Sequence, residues 1–141
     1  MVKKASIEGV LRGMVIIDLT QMLAGPYCTM MLADHGADVI KIEPPEGDMS
    51  RRLGPYADDK DGQNHSGYFH SINRNKRSVV LDLKSAEGVL IFKRLIKKAD
   101  AVVENFREGV MERLGLSYET LREINPRLVY AAIRGFGDSR T

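Results

Sequence analysis

Residues Ile16 to Arg52 constrain the fold more than any other stretch of this chain. An apolar run, Val15-Ile16-Ile17-Asp18-Leu19, precedes a turn at Ala24-Gly25-Pro26 and an apolar helical stretch. A second run, Val39-Ile40-Lys41-Ile42-Glu43, then leads into the charged loop Gly47-Asp48-Met49-Ser50-Arg51. The first run is too short for a helix and rich in β-branched residues, as a strand covered on both faces should be. Proline holds φ near the helical value and lacks the N–H that a first turn leaves unpaired, so Pro26 suits the first helical position. The helix runs through Tyr27, Met30, Met31 and Ala33, with Gly36 as its stop. Pro44 and Pro45 end the second strand, because neither can donate to a ladder. The order is a βαβ unit, and such units bind ligands at the carboxyl ends of their strands.

The alternation continues. Ser78-Val79-Val80-Leu81-Asp82-Leu83 reads as a third strand, and Ser85 caps a helix carrying Glu87 in its first turn. That helix sets Val89, Phe92, Leu95 and Ile96 on one stripe and leaves Lys93, Arg94, Lys97 and Lys98 as a solvated face. Ala101 to Asn105 is a fourth strand, short helices follow around Gly109 to Leu114 and Tyr118 to Asn125, and Leu128 to Ile133 is a fifth strand. Strands separated by helices imply an α/β fold with a mostly parallel sheet. Between Pro44 and Arg77 the pattern lapses, apart from a short helix around Gly67 to Ile72, and a loop of that length is uncommon unless functional or disordered.

With 141 residues the chain is long enough to bury a real core as one domain. A net charge of only +2, with acidic and basic residues mixed, shows no nucleic-acid stripe. The lone Cys28 excludes an intrachain disulfide and reads as a buried thiol inside the apolar helix. No apolar run reaches membrane-spanning length, and Met1 to Ala5 lack a signal-peptide core, so a cytoplasmic protein is expected.

Several chemistries are disfavoured by the residues. Glu43 stands about 20 residues after the first turn, where a dinucleotide-binding unit keeps its ribose acid. That turn holds one glycine where the fingerprint needs three, and no Gly-Lys-Ser/Thr phosphate loop is present. His65 and His70 lack the spacing of two ligands on one helix face, His35 sits by a helix end, and no metal ligands are assigned. Neither a Gly-x-Ser-x-Gly elbow nor a partner for Cys28 marks a nucleophile. What remains is a set of cations near the carboxyl ends of strands: Arg51, Arg52, Lys76, Arg77, Lys84, Arg107 and Arg113. Surface cations usually serve solubility, but converging ones suit a phosphorylated ligand.

Seven blocks sharpen this. They are Asp18 to Thr20, Ala24 to Thr29, Leu32 to Glu43, Gly47 to Arg51, Asn73 to Ser78, Leu81 to Lys84 and Val103 to Arg107. Together they resemble, in order, the signature blocks of class III CoA-transferases, the superfamily of formyl-CoA transferase, carnitine CoA-transferase and α-methylacyl-CoA racemase. The resemblance runs from about Leu11 to Phe136. It implies a Rossmann-like CoA-binding domain within a fold whose two protomers interlock as rings, hence a homodimer. It implies coenzyme A or acyl-CoA as substrate with no tightly bound cofactor, and a carboxylic acid as acceptor. Transfer in the family passes through an aspartyl anhydride and then an aspartyl-CoA thioester.

Carried over block by block, CoA contacts are expected at Leu23 and Ala24, at Leu81, Asp82, Leu83 and Lys84, at Asn105, Phe106 and Arg107, and at Arg113. Lys84 and Arg113 would meet phosphates, with Ala24 and the Asn105-Phe106 turn beside the pantetheine and thioester. Two positions depart from the family: Leu23 replaces the glutamine of formyl-CoA transferases, and Pro44 replaces an arginine, leaving Arg51 or another cation to substitute. The family's nucleophilic aspartate falls beyond the matched blocks, and neither Asp34 nor Asp138 corresponds to it, so no catalytic residue is assigned. Residues 1–141 are therefore expected to be the N-terminal portion of the CoA-binding domain, without the rest of the enzyme. Three readings stand: the CoA-binding part of a CoA-transferase, the same part of a racemase, or a non-catalytic module that binds CoA or dimerises.

Overall fold

A computed structural model describes residues 9–58 and 64–137. The Met1 to Ala5 start and Asp138 lie outside them. Five strands, β1 (Val15–Asp18), β2 (Asp38–Glu43), β5 (Arg77–Val80), β6 (Ala101–Glu104) and β7 (Val129–Ala132), form one sheet in the order β5-β2-β1-β6-β7. Every pairing in it is parallel. From β1 the chain builds outward through β2 to β5, then crosses back to lay β6 and β7 on the other side. The strand order therefore reverses between β1 and β6, and the crevice above their carboxyl ends is where a doubly wound sheet binds ligands.

Alternation along each strand sends neighbours to opposite faces. Ile17, Ile40, Ile42 and Val102 point into the larger core, with Phe92 and Ile96 from α3 (Ala86–Ile96), Met111 from α4 (Val110–Arg113) and Leu121 from α5 (Tyr118–Ile124). Ile16, Val39 and Val103 point the other way, onto Ala33 of α1 (Ala24–Asp34) and Ala37. Phe92 and Ile96 are fully buried, each contributing roughly 1.5–3 kcal/mol by removal from water. The α3 stripe read from sequence is thus the packed face, and Ser85 caps it by accepting the Gly88 N–H.

Several local expectations need correction. Cys28 is exposed, not buried. The buried face of α1 carries Gly25, Pro26, Thr29, Met30 and Ala33, and Cys28 falls on the opposite side. A helix apolar all round gave no pattern to tell the two faces apart. Pro26 is the third helical residue, not the first, still within the turn where a missing N–H costs nothing. Strand β5 stops at Val80: the Leu81 N–H still bonds the Glu43 carbonyl of β2, and the Asp82 side chain then folds the chain over by accepting from Lys84 N. The stretch from Pro44 to Arg77 is not bare loop. It holds a 3-10 turn at Met49–Arg52, an antiparallel hairpin of β3 (Tyr56–Asp58) and β4 (Asn64–Ser66), and the expected short helix, α2 (Gly67–Asn73). No helix among the described residues is long and apolar enough to cross a membrane.

Candidate functional site

Charged side chains gather at the carboxyl ends of the strands, and burial decides their role. Asp18 ends β1 with no exposed surface. It accepts from Thr20 N at 2.8 Å, Thr20 Oγ1 at 2.5 Å and Thr29 Oγ1 at 2.7 Å, and pairs with Lys76 Nζ at 2.9 Å. Lys41, 1% exposed in the middle of β2, reaches Asp48 Oδ2 and the Thr20 carbonyl, both at 2.7 Å. A carboxylate or ammonium this deep is tolerable only when paired and hydrogen-bonded, as each is here. Burial pushes the Asp48 carboxyl up, but the bond and charge of Lys41 and the Ser50 contacts bring it below the usual range. Burial lowers Lys76, against the opposing pull of Asp18.

This network ties down the chain leaving β1. Thr20 is held at its N–H and hydroxyl by Asp18 and at its carbonyl by Lys41. The next residue, Gln21, gives its N–H to Asn105 Oδ1 at 2.9 Å and takes Asn105 Nδ2 on its carbonyl at 2.8 Å. Met22 follows at φ 71, a left-handed conformation costly for a residue with a side chain. Strain of this kind persists where the surroundings over-determine it. Leu23, with no side-chain cap, and Ala24 then open α1 at the surface.

Of the residues expected to bind, Leu23, Ala24, Asn105, Phe106 and Arg107 border the crevice between β1 and β6. A second group meets across 29 positions of sequence. Leu83, Lys84 and Arg113, with Ser85, Ala86, Val89 and Leu114, line a groove of about 410 Å³ where α3 begins. Arg113 reaches the groove because Gly109, at φ 79, turns the chain from the Arg107 loop into α4, and its guanidinium folds back over that glycine. Leu81 is buried in the core, and Asp82 closes the turn before α3.

Three of the other cations are committed elsewhere. Arg51 grips Glu43 and lies 3.7 Å over the Phe69 ring, so it is not free to replace the arginine missing at Pro44. Lys76 is spent on Asp18 and Arg77 on Asp38. Lys84, Arg107 and Arg113 stand exposed and outside these pairs. Glu43, the would-be ribose acid, is 2% exposed and fully engaged, which removes the dinucleotide reading a second time. Sequence reasoning assigned no role to Asp18, Lys41, Thr29 or Gln21. The usable signal was a charge within an apolar strand, at Asp18 and Lys41, where burial forces a partner.

Comparison with known proteins bears on what this arrangement serves. Residues 11–140 match the family model described as CoA-transferase family III. The chain is 55% identical over 133 residues to a succinyl-CoA:mesaconate CoA-transferase of Haloarcula hispanica, covering 94% of this chain and 34% of that protein. It is 50% identical over 133 residues to an acetyl-CoA:oxalate CoA-transferase of Acetobacter aceti, covering 94% and 33%. The crystal structure of a CAIB/BAIF family protein from Brucella suis superposes with a TM-score of 0.87 at 45% identity, over 92% of this chain and 34% of that one. The chain thus spans about a third of the length of the curated relatives it matches.

Proposed function

The chain belongs to CoA-transferase family III, and from that premise we propose that residues 1–141 are the N-terminal part of the CoA-binding domain of an acyl-CoA:carboxylate CoA-transferase. The observation that carries the reading is the meeting of Lys84 and Arg113 on one groove beside the start of α3. Two exposed cations on a shared groove suit the phosphates of CoA, the arginine gripping them bidentately. Pantetheine would run from there past Phe106 to the crevice, where Leu23 and Ala24 border the thioester. Transfer would proceed on an aspartate outside these residues. Its carboxylate attacks the acyl-CoA carbonyl and expels CoA thiolate, leaving an acyl anhydride. The thiolate then attacks the aspartyl carbonyl, releasing the donor acid and leaving aspartyl-CoA, which the acceptor carboxylate opens in the reverse order. The two relatives named above are both CoA-transferases, which favours transfer over racemisation.

A dimer in a reducing cytoplasm belongs to the same proposal. The exposed apolar row Leu23, Tyr27 and Met31 along α1 supports self-association. Calorimetric titration of the folded chain with CoA and with pantetheine tests the binding. Lys84→Met and Arg113→Met should each weaken CoA about tenfold and leave pantetheine unchanged. A folded chain that takes up no CoA overturns the proposal.

A further inference from the structure

We propose that Asn105 is a positioning residue: its carboxamide sets the crevice between β1 and β6 by clasping the Gln21 backbone. The inference rests on the CoA-binding reading above and deepens it. Asn105 follows β6 and Gln21 follows β1, neighbouring strands at the point where the order reverses. The amide oxygen takes the Gln21 N–H at 2.9 Å and the amide nitrogen gives to the Gln21 carbonyl at 2.8 Å. Only one orientation of the amide satisfies both, so its direction is fixed by chemistry.

The clasp closes a set of restraints. Asp18 and Lys41 hold every backbone polar group of Thr20, and Asn105 holds those of Gln21. The next residue, Met22, is the one at φ 71, and it sets the direction in which Leu23 and Ala24 enter α1. Asp18 holds Thr20 from β1 and Lys41 holds it from β2, whereas Asn105 ties Gln21 across the crevice to the β6 side. Releasing it frees Met22 to leave its strained conformation and shifts the rim on which a ligand would lie.

Asn105→Asp separates positioning from mere scaffolding. An ionised carboxylate still accepts the Gln21 N–H but faces the Gln21 carbonyl with a lone pair, so half the clasp is lost and the loop is repelled. A protonated carboxyl restores both bonds. CoA affinity of the variant, taken as a ratio to the wild type at each pH, should be down about tenfold at neutral pH and recover as pH falls through the carboxyl titration. Asn105→Ala should stay weak at every pH, and the Gln21 amide should exchange faster with solvent in both variants at neutral pH. A wild type that binds CoA while Asn105→Asp binds equally well, or weakly without pH recovery, overturns the inference alone. A folded wild type that binds no CoA overturns the parent reading and this inference with it.

Discussion

Arg51 holds Glu43 with both prongs of its guanidinium, Nε to Oε2 at 2.6 Å and Nη2 to Oε1 at 2.7 Å. Ser78 Oγ and the Asp48 N–H fill the remaining acceptor sites of the carboxylate. The pair joins the end of β2 to the 3-10 turn, while Ser78 brings in β5. A loop that reads as structureless is thereby fastened to the sheet at Glu43, and a second time where Asp48 pairs with Lys41 of β2.

That fastening should be visible in acid. Burial pushes the Glu43 carboxyl up, but the Arg51 fork, Ser78 and the Asp48 N–H outweigh it and bring it from 4.5 to about 2. A carboxylate depressed on folding stabilises fully above its unfolded value and loses that contribution as pH falls from about 4.5 toward 2. Its upper bound is about 3 kcal/mol, less some screening because Arg51 is 42% exposed. Glu43→Gln should therefore be less stable than the wild type at neutral pH, with the gap closing below about pH 4. Urea unfolding at both pH values measures it, and a gap independent of pH would refute the linkage.

The buried pair of Asp18 and Lys76 gives a second test. Both side chains are at most 2% exposed. Asp18→Asn leaves the Lys76 ammonium with only Asn73 Oδ1 and the Pro26 carbonyl, at a cost of about 3–5 kcal/mol. Replacing both partners, Asp18→Asn with Lys76→Met, should cost clearly less than the two single changes together. Lys76 is already lowered by burial, and losing Asp18 lowers it further. The unfolded chain then binds more protons between the lowered value and 10.5, so the Asp18→Asn deficit should shrink as pH rises toward 10.5. A deficit that grows with pH would show that Lys76 is not the group responsible.

Much of the fold was legible because apolar runs and caps are local signals. The β-branched runs at Ile16, Val39 and Val102 became the central strands, Ser85 started α3 and Gly36 followed the end of α1 where expected. The hairpin of β3 and β4 was not legible, since its short polar strands carry no alternation. The exposure of Cys28 was hidden for the opposite reason, α1 being apolar on every side. At the site, residue type alone marked Lys84 and Arg113 as cations, but their meeting depends on Gly109 turning the chain. The Asn105 clasp on Gln21 spans 84 positions and uses backbone on one side, so no side-chain pattern could announce it.

Close packing at Gly88 makes a third prediction. A Cβ there would run into the Asp82 carbonyl oxygen, a backbone atom that cannot swing aside. The first turn of α3 sits on the turn that carries Lys84 because this position has no side chain. Gly88→Ala should cost about 1–3 kcal/mol by forcing the two apart. It should also weaken CoA, since the groove walls move. Gly135→Ala, where nothing lies within 4 Å, is the matched control and should leave the melting temperature within error. Equal melting temperatures for the two variants would mean that the approach of α3 to Asp82 is not tight.

Met22 supplies the last prediction, because its left-handed backbone separates strain from contact. At φ 71 a side chain costs about 1–2 kcal/mol, and a glycine avoids this while adding about 0.5–1 kcal/mol of unfolded-state entropy. Met22 is 42% exposed, so truncation forfeits little burial. Met22→Gly should therefore be neutral to slightly stabilising, by less than about 1 kcal/mol. Met22→Val should be destabilising, since a β-branched residue fits this region worst. Thermal melting of the two variants checks the order. If Val is tolerated as well as Gly, the turn relaxes freely, and the restraints on Thr20 and Gln21 do not hold the conformation at Met22.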